Sequence, residues 1–312
     1  MYDSPREKPR GIWPPILIEN RTDGRVDLDR ITEATRYFAA AGVHGVYTAD
    51  TASEFYTMEF EEWDELAGHF RQVAAACGKR AGIGCTWTNQ AGILRRVARA
   101  RELHYDNIHL SQPYWFRLNE AAQETYWRAV GEAAEGLPII VYAGSQGQLP
   151  IDGPLLGRLR EHCPSIVGTK SPGFDGVATS SLLVHCPEMA HFVNDQVGAA
   201  GAFSTLVLLC PPLALHWFKL MEEDRWTEAF EIQRRVARFY EQGVGPIRRA
   251  GYAIDKAVAH LGRVPGATRG QRPPYRPVPV ELYARMEAAA RSHLPEFCAA
   301  RQARGLPLND TP

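Results

Sequence analysis

Short apolar runs alternate with longer amphipathic stretches through the first two thirds of the chain. The runs have the length of strands, and the stretches between them carry apolar residues at helical spacing. This alternation is typical of a parallel sheet covered by helices. Eight strands are predicted, at Gly11–Ile18, Gly45–Thr48, Arg80–Thr86, Asn107–Ser111, Pro138–Tyr142, Ile166–Lys170, Ala190–Asn194 and Gly201–Thr205.

The strand count predicts a fold of the α/β class, a closed (β/α)8 TIM barrel. An open doubly wound sheet is the alternative, but no GxGxxG fingerprint follows the first predicted strand. We expect a barrel over residues 1–224 and a C-terminal helical bundle, packed on the barrel, over residues 225–312. The last barrel helix and the bundle are predicted at Pro212–Glu223, Trp226–Gln242, Ile247–His260 and Pro279–Arg291.

Composition and charge narrow the class of protein. The chain has 312 residues and a formal net charge of -1, which argues against nucleic acid as a partner. No apolar stretch approaches the roughly 20 residues that span a bilayer, and the N-terminus has no apolar signal core, so we expect a cytoplasmic protein without a membrane partner. Six cysteines without a CxxC pair predict neither a zinc site nor a disulfide framework.

Two of the predicted strands end on side chains that can do chemistry. An apolar run ends at Tyr142 and another at Lys170, with a predicted helix between them. Strand, helix and strand form a βαβ unit, so we expect both side chains at the same end of neighbouring parallel strands. Apolar walls would lower the pKa of Lys170 and free its amine to attack a carbonyl, with Tyr142 moving protons. The alternative is a lysine that merely ends a strand in solvent.

In a TIM barrel the active site lies at the C-terminal ends of the strands. His109 is part of the fourth predicted strand and is either a core group or a pocket group. Several polar and aromatic residues follow predicted strand ends, namely Asp50, Thr51, Ser53, Trp87, Thr88, Asn89, Gln112, Tyr114, Trp115, Asp195, Ser204 and Thr205.

The strands that end at Tyr142 and Lys170 resemble those of the dihydrodipicolinate synthase and N-acetylneuraminate lyase family of pyruvate-type class I aldolases. The segments that carry the resemblance are Ile139–Tyr142, Ile166–Lys170, Gln112–Trp115, Gly198–Ser204 and Arg272–Pro274. They are distributed over nearly the whole chain, which is thereby identified as a divergent member.

The resemblance implies that Lys170 forms an imine with pyruvate or a larger 2-oxo acid, and that Tyr142 is the proton shuttle. No metal or organic cofactor is implied, because the lysine imine is itself the electron sink. The family also implies a homo-oligomer, a dimer or a tetramer, in which Tyr114 or Trp115 reaches the neighbour's site. Ser171 and Asp195 are candidates for contacts with distal substrate hydroxyls.

The loop that would hold the substrate carboxylate departs from the family pattern Gly-x-x-Gly-Glu. It has Asp50 and Ser53 in place of the glycines and Ala52 in place of a hydroxyl residue, whereas Thr51 and Glu54 are retained. Backbone N–H groups at Thr51 and Ala52 could still bind a carboxylate. Asp50, however, places a negative charge near the anion, so either Asp50 points away or the substrate differs from plain pyruvate. The alternative role for Asp50 is to cap the turn through its side chain.

A second departure follows Tyr142, where Ala143–Gln148 replaces the family's Asn-x-Pro and the arginine of dihydrodipicolinate synthases. No arginine occurs between Tyr142 and Arg158. The resemblance therefore predicts a Schiff-base lyase, an aldolase or a dehydratase, that is not the lysine-pathway synthase. The alternative is a non-catalytic barrel that binds a metabolite and has lost turnover.

Overall fold

The computed structural model describes residues 9–142, 153–170, 183–186 and 199–307. From β1 to β6, strands and helices alternate as predicted, whereas residues 171–182 and 187–198, on either side of β7, lie outside the described residues. These elements are β1 (Gly11–Ile12), α1 (Leu28–Ala40), β2 (Gly45–Thr48), α2 (Phe60–Ala76), β3 (Arg80–Gly84), α3 (Gln90–Glu102), β4 (Asn107–Leu110), α4 (Glu120–Ala134), β5 (Ile139–Tyr142), α5 (Gly153–His162), β6 (Ile166–Lys170), β7 (Leu183–Cys186) and β8 (Ala199–Ala202).

Three of the barrel helices, α1, α3 and α4, begin where short polar side chains satisfy their first backbone N–H groups. The carboxylate of Asp27 accepts from the N–H groups of Asp29 and Arg30 at the start of α1. Asn89 and Asn119 cap α3 and α4 in the same way. A cap of this kind contributes about 1 kcal/mol, because it pairs a donor that the helix itself leaves unpaired.

All neighbouring strands are parallel, in the order β1-β8-β7-β6-β5-β4-β3-β2. The two ends of this order meet where the segment after β1 pairs with β2. Pro15 forms a parallel bridge with Tyr47, and the N–H of Ile16 donates to the Tyr47 carbonyl at 2.6 Å. The sheet is therefore closed, and the prediction of a (β/α)8 barrel is confirmed.

The first strand is shorter than we predicted. It ends at Ile12, and only single contacts continue to the predicted end at Ile18. Pro14 and Pro15 follow after Trp13, and proline has no backbone N–H with which to extend a ladder.

The seventh strand is not where the apolar pattern placed it. The strand next to β6 is Leu183–Cys186, whereas the predicted strand Ala190–Asn194 lies outside the described residues. The eighth strand ends at Ala202 rather than Thr205, so Ser204 and Thr205 follow it as a turn. The run Leu-Val-His-Cys is as apolar as the run that we chose, and periodicity alone does not separate two such candidates.

After β8 the described chain is helical. The helices are α6 (Leu206–Leu209), α7 (Pro211–Glu222), α8 (Trp226–Phe239), α9 (Gly245–Arg249), α10 (Asp255–Leu261), α11 (Val280–His293) and α12 (Pro295–Ala303), with a π-helical turn at Tyr240–Val244. The single helix predicted at Ile247–His260 was wrong, because Gly251 adopts a φ of 81° and ends α9. A positive φ interrupts a right-handed helix and is accessible to glycine at little cost.

Buried side chains form two groups. The first group brings together side chains from β2, β5 and the residues just after β1 and β8, which contact one another and fill the interior of the barrel. Its members are Tyr47, Ile140, Trp13 and Phe203. A larger cluster lies between sheet and helices and includes residues of the C-terminal helices, such as Met286 and Phe297. The described core thus packs on both the inner and the outer face of the sheet.

Arg272 fastens the connection before α11 to the barrel. Its guanidinium donates to both carboxylate oxygens of Glu62, at 2.5 and 2.7 Å, and to Asn20 Oδ1 at 2.7 Å. It also donates to the carbonyls of Gly24 and Thr57. Thr57 follows the strand-two loop, and Glu62 lies near the start of α2. Arg272 therefore holds the C-terminal segment against the end of the barrel that carries this loop.

We expect Arg272→Met to lower the free energy of unfolding by about 2–4 kcal/mol, because it leaves the half-buried Glu62 carboxylate without its partner. Urea unfolding measures the change. The matched control is Arg25→Met, whose partner Glu65 is exposed and whose loss should cost less than about 1 kcal/mol. Equal losses in the two variants would show that the Arg272 network does not fasten this segment.

Candidate active site

Tyr142 and Lys170 lie side by side at the ends of β5 and β6. The two residues are direct partners in the parallel register, so the prediction that they share one end of neighbouring strands is confirmed. The Lys170 ammonium lies 4.6 Å from the centroid of the Tyr142 ring, and Lys170 as a whole is only 4% exposed. The alternative of a strand-end lysine in solvent is therefore wrong.

The backbone turns sharply after β2 and brings Asp50 toward this lysine. Ala49 has a φ of 53°, a left-handed conformation that costs an alanine about 1–2 kcal/mol. The neighbouring strand makes room for the turn at Gly84, where a Cβ would lie 1.9 Å from the Ala49 carbonyl oxygen. Strain of this kind is typical of positions where a fold directs a side chain into a site.

The carboxylate of Asp50 is the centre of the site. Its Oδ2 accepts a hydrogen bond from Lys170 Nζ at 3.1 Å and lies 3.0 Å from His109 Nδ1. Lys170 Nζ also donates to the Tyr47 hydroxyl at 3.4 Å. Asp50 and His109 are 2% and 1% exposed. Asp50 thus points at the lysine, which excludes the first of our two expectations, that it points away.

The charges in this cluster stabilise one another. Burial alone would lower the pKa of Lys170, but Asp50, Tyr47 and Tyr142 raise it by more, so the net shift is upward. Burial likewise raises the pKa of Asp50, and Lys170 together with His109 lowers it well below its ordinary value. Our expectation of a lowered pKa at Lys170 was wrong, because the apolar walls come with a buried carboxylate in contact.

The surroundings of His109 lower its pKa and so favour the neutral imidazole. Burial lowers its pKa, Asp50 raises it by less, and the Lys170 cation lowers it further. Its Nδ1–H must be the donor to Asp50, since a carboxylate only accepts. The ring packs against Tyr47 and Phe203, with centroid distances of 4.8 and 4.4 Å. Its Nε2 is buried and has no hydrogen-bond partner among the described residues.

Several polar groups of the loop after β2 form hydrogen bonds within the protein. Asp50 Oδ1 accepts from the N–H of Thr51 at 2.9 Å, so the capping role predicted for Asp50 is observed together with its contact to Lys170. The Thr51 side chain is hydrogen-bonded to the Tyr142 hydroxyl. Ser53 donates to the Ile16 carbonyl at 2.8 Å. Thr51 and Ala52 are half-buried beside the Lys170 cluster.

Glu54 connects this loop to the C-terminal segment. Its carboxylate forms an ion pair with Lys256 Nζ at 2.7 Å, and both side chains are almost fully buried. Its other oxygen accepts from the backbone N–H of Arg272 at 3.1 Å. Glu54 itself has a left-handed backbone with a φ of 51°. The retained glutamate of the loop thus has a structural partner that lies two hundred residues away in the sequence.

Two more of the predicted substrate-binding residues, Tyr114 and Trp115, belong to the segment after β4. Tyr114 is half-buried, and its ring centroid lies 6.3 Å from that of Phe55. Trp115 is 79% exposed, and its neighbour Phe116 is 80% exposed. Ser171 and Asp195 lie outside the described residues, and Asp195 does not follow the seventh strand directly as we predicted.

Sequence reasoning missed several members of the cluster. Tyr47 could have been recognised, because residues at alternate positions of β2 face the barrel interior. Lys256 and Asp255 follow no motif. The negative charge of Asp255 nevertheless raises the pKa of both Tyr47 and Tyr142, which places it near the site.

Within the described residues, no group of three or more His, Cys, Asp or Glu side chains is arranged to hold a metal ion. None of the helices described is both long and apolar enough to cross a membrane.

Comparisons with known proteins show the family to which the chain is related. The model of the dihydrodipicolinate synthetase family matches residues 8–292. An uncharacterized DapA-like lyase of Thermococcus kodakarensis is 26% identical over 242 residues, which are 73% of this chain and 82% of the relative. A 4-hydroxy-tetrahydrodipicolinate synthase of Phenylobacterium zucineum is 26% identical over 284 residues, or 83% and 90% of the two chains.

Among solved structures, the sialic acid aldolase of Ruminococcus gnavus has the same fold, with a TM-score of 0.79. It is 21% identical in sequence, and the match covers 94% of this chain and 98% of the aldolase.

A double-mutant cycle on Lys170→Met and Asp50→Asn tests the buried pair. Each single change leaves the other charge or dipole unpaired in a dry site, so we expect Lys170→Met to cost about 3–5 kcal/mol of unfolding free energy. The double variant should cost less than the sum of the single ones by about 2 kcal/mol or more. The exposed pair Lys219–Glu223 is the control, with a coupling below about 0.5 kcal/mol. Strict additivity at Lys170 and Asp50 would contradict the ion pair.

Proposed function

Because this chain belongs to the dihydrodipicolinate synthetase family, whose members are lyases of the class I aldolase type, we propose that it forms a Schiff base between Lys170 and a 2-oxo acid. The observation that carries the proposal is the contact of the buried Lys170 amine with acid and base groups, Asp50 and Tyr142, at the end of a barrel strand. The family uses a covalent lysine imine with pyruvate and no metal.

In the proposed reaction, the neutral amine of Lys170 adds to the keto carbon and water leaves. The resulting protonated imine withdraws electrons from the neighbouring carbon. In aldol cleavage a C–C bond then breaks, and its electron pair is held as an enamine. In dehydration the carbon next to the imine loses a proton to give the enamine, and the C–O electron pair then leaves with the hydroxyl, which is protonated to water. Tyr142 moves a proton to or from the substrate hydroxyl, with Thr51 holding the phenol in place. Aldol cleavage and dehydration share these residues.

The loop after β2 is proposed to hold the substrate carboxylate. The donors are the N–H of Ala52 and the Thr51 hydroxyl, which then accepts from the Tyr142 hydroxyl, because the N–H of Thr51 is already bonded to Asp50. Asp50 then lies between the carboxylate and Lys170. Ser171 and Asp195 remain the candidates for contacts with distal hydroxyls. The ion pair of Glu54 with Lys256 keeps the loop in position.

We further propose that the enzyme assembles into dimers or tetramers, as is typical of the family. Trp115 and Phe116 support this, because two adjacent aromatic side chains are each about four fifths exposed in the single chain, at 79% and 80%. Exposed aromatic pairs at the mouth of a barrel are typical of contact surfaces.

A non-catalytic barrel that only binds a metabolite is the alternative. The strained turn at Ala49 and the buried Asp50–Lys170 pair favour the enzyme, because a binding site for a neutral ligand has no need of either. The variant Lys170→Arg distinguishes the two functions. In an enzyme it should abolish turnover, whereas in a protein that only binds a metabolite it should leave the affinity for that metabolite nearly unchanged.

Borohydride reduction in the presence of pyruvate and of larger 2-oxo acids should leave a covalent adduct on Lys170, detected by mass spectrometry of the digested protein. Lys170→Arg should lose the adduct and lower turnover by at least about a thousandfold, since the nucleophile is gone. Lys219→Arg, at an exposed lysine, is the matched control and should keep both. An adduct on another lysine, or none with any 2-oxo acid, would contradict the proposal.

Aspartate semialdehyde should not be accepted as the second substrate with pyruvate. No arginine occurs between Tyr142 and Arg158 to bind its carboxylate, and a missing charge partner in a dry pocket costs about 2–5 kcal/mol, or thirtyfold and more in rate. Product analysis by mass spectrometry, with a bona fide lysine-pathway synthase as the positive control, checks this. Turnover at a comparable rate would assign the chain to lysine biosynthesis after all.

A further inference from the structure

The proposed function assigns no proton transfer to Asp50, although this carboxylate contacts the Lys170 amine. Among the described residues, two groups accept a hydrogen bond from Lys170 Nζ, the carboxylate of Asp50 at 3.1 Å and the hydroxyl of Tyr47 at 3.4 Å. Tyr142 meets the ammonium with the face of its ring, and its hydroxyl is bonded to Thr51. A proton that leaves Lys170 therefore has Asp50 as its nearest anionic acceptor.

We propose that Asp50 is a catalytic acid–base group, which accepts a proton from the Lys170 ammonium before attack and returns it to the hydroxyl that leaves as water. This rests on the proposed function, in which Lys170 forms an imine with the carbonyl substrate. Tyr142 keeps its role in the later step, the transfer of a proton at the substrate hydroxyl.

The protons and electrons of this step balance. Lys170 transfers one proton to the carboxylate and attacks the carbonyl carbon as a neutral amine, while the C=O electron pair moves to oxygen. The carboxylic acid protonates that oxygen and takes a second proton from the nitrogen, which gives a neutral carbinolamine. It then protonates the hydroxyl, the C–O bond breaks, water leaves, and the nitrogen lone pair forms the iminium. Asp50 ends as a carboxylate opposite a cation, as it began.

The phenols of the cluster are poorer proton acceptors than Asp50. Burial raises the pKa of Tyr47 and of Tyr142, and Lys170 offsets only part of that shift. Each phenol is therefore protonated at neutral pH and can accept a proton only as an oxonium. A carboxylate in direct contact with the amine becomes a neutral acid when it accepts the proton, so no oxonium is formed.

An anionic substrate makes the transfer easier. A 2-oxo acid bound by the strand-two loop places a second carboxylate near Asp50, and like charges at short range favour protonation of one of them. Among the groups that donate to Asp50, the Lys170 ammonium is the cation, so its proton is the one to move. Binding of the 2-oxo acid would thus move the proton from the Lys170 amine to Asp50 and generate the nucleophile. The charge of Asp50 is therefore compatible with a 2-oxo acid as the substrate.

His109 is a positioning residue for this carboxylate. Its Nδ1–H donates to the same oxygen that faces Lys170, at 3.0 Å, and its ring is held between Tyr47 and Phe203. The other oxygen is fixed by the N–H of Thr51. Both carboxylate oxygens therefore have a partner from the protein besides the lysine, which aligns Oδ2 with Nζ.

The test follows the rate at which the reducible adduct forms on Lys170, by borohydride quenching at successive times with the 2-oxo acid that gives the adduct in the wild type. Asp50→Asn keeps the shape and removes the base, and we expect adduct formation to slow by about 10²–10⁴-fold. Asp50→Gly restores the residue of the family pattern and leaves a space for a small acid. Added formate should accelerate its adduct formation about tenfold or more, with no effect on the wild type.

Two variants of His109 separate positioning from folding. An Asn side chain places an amide N–H where Nδ1 lies, so His109→Asn should keep a rate within about tenfold of the wild type, whereas His109→Leu should lose considerably more. Adduct formation in Asp50→Asn at the wild-type rate, or a formate effect that is equal in both proteins, would overturn the proposal while leaving the Schiff-base function intact. A wild type without any adduct would overturn both.

Discussion

The ion pair of Lys170 with Asp50 is the interaction on which the rest of the site depends. Two opposite charges in a barrel interior from which water is excluded must lie in contact, since an isolated charge there would be far too costly. Contact requires the left-handed turn at Ala49, and that turn requires the bare backbone of Gly84 on the neighbouring strand. Tyr47 and His109 then complete the hydrogen bonds of the pair. The reactive amine is consequently stored as a protonated, fully paired group.

A second buried ion pair supports the first. Glu54 is four residues beyond Asp50, and its partner Lys256 belongs to the C-terminal helices. Arg272 binds Glu62 and contributes its backbone N–H to Glu54. The C-terminal segment therefore does more than extend the helical layer of the barrel, because it fixes the loop that directs Asp50. Any change in the packing of that segment will reach the site through Glu54.

The sequence predicted the barrel and the neighbouring positions of Tyr142 and Lys170 because both follow from periodicity, which depends on residues close together in the chain. It could not predict the direction of the pKa shift at Lys170. Asp50 lies 120 residues away from the lysine, and only the left-handed turn brings the two together. The seventh strand was misplaced because Leu183–Cys186 and the predicted run are equally apolar. Lys256 gave no signal, since a lone lysine in an amphipathic helix is ordinarily exposed.

The central claim is that Lys170 carries the substrate as an imine while Asp50 remains in contact with the reacting nitrogen. A crystal structure of the borohydride-reduced adduct tests it most directly. We expect a secondary amine on Lys170 with its nitrogen about 3 Å from Asp50 Oδ2 and the hydrogen bond from His109 preserved. An adduct whose nitrogen has lost Asp50, with the carboxylate turned away and another group in its place, would contradict it.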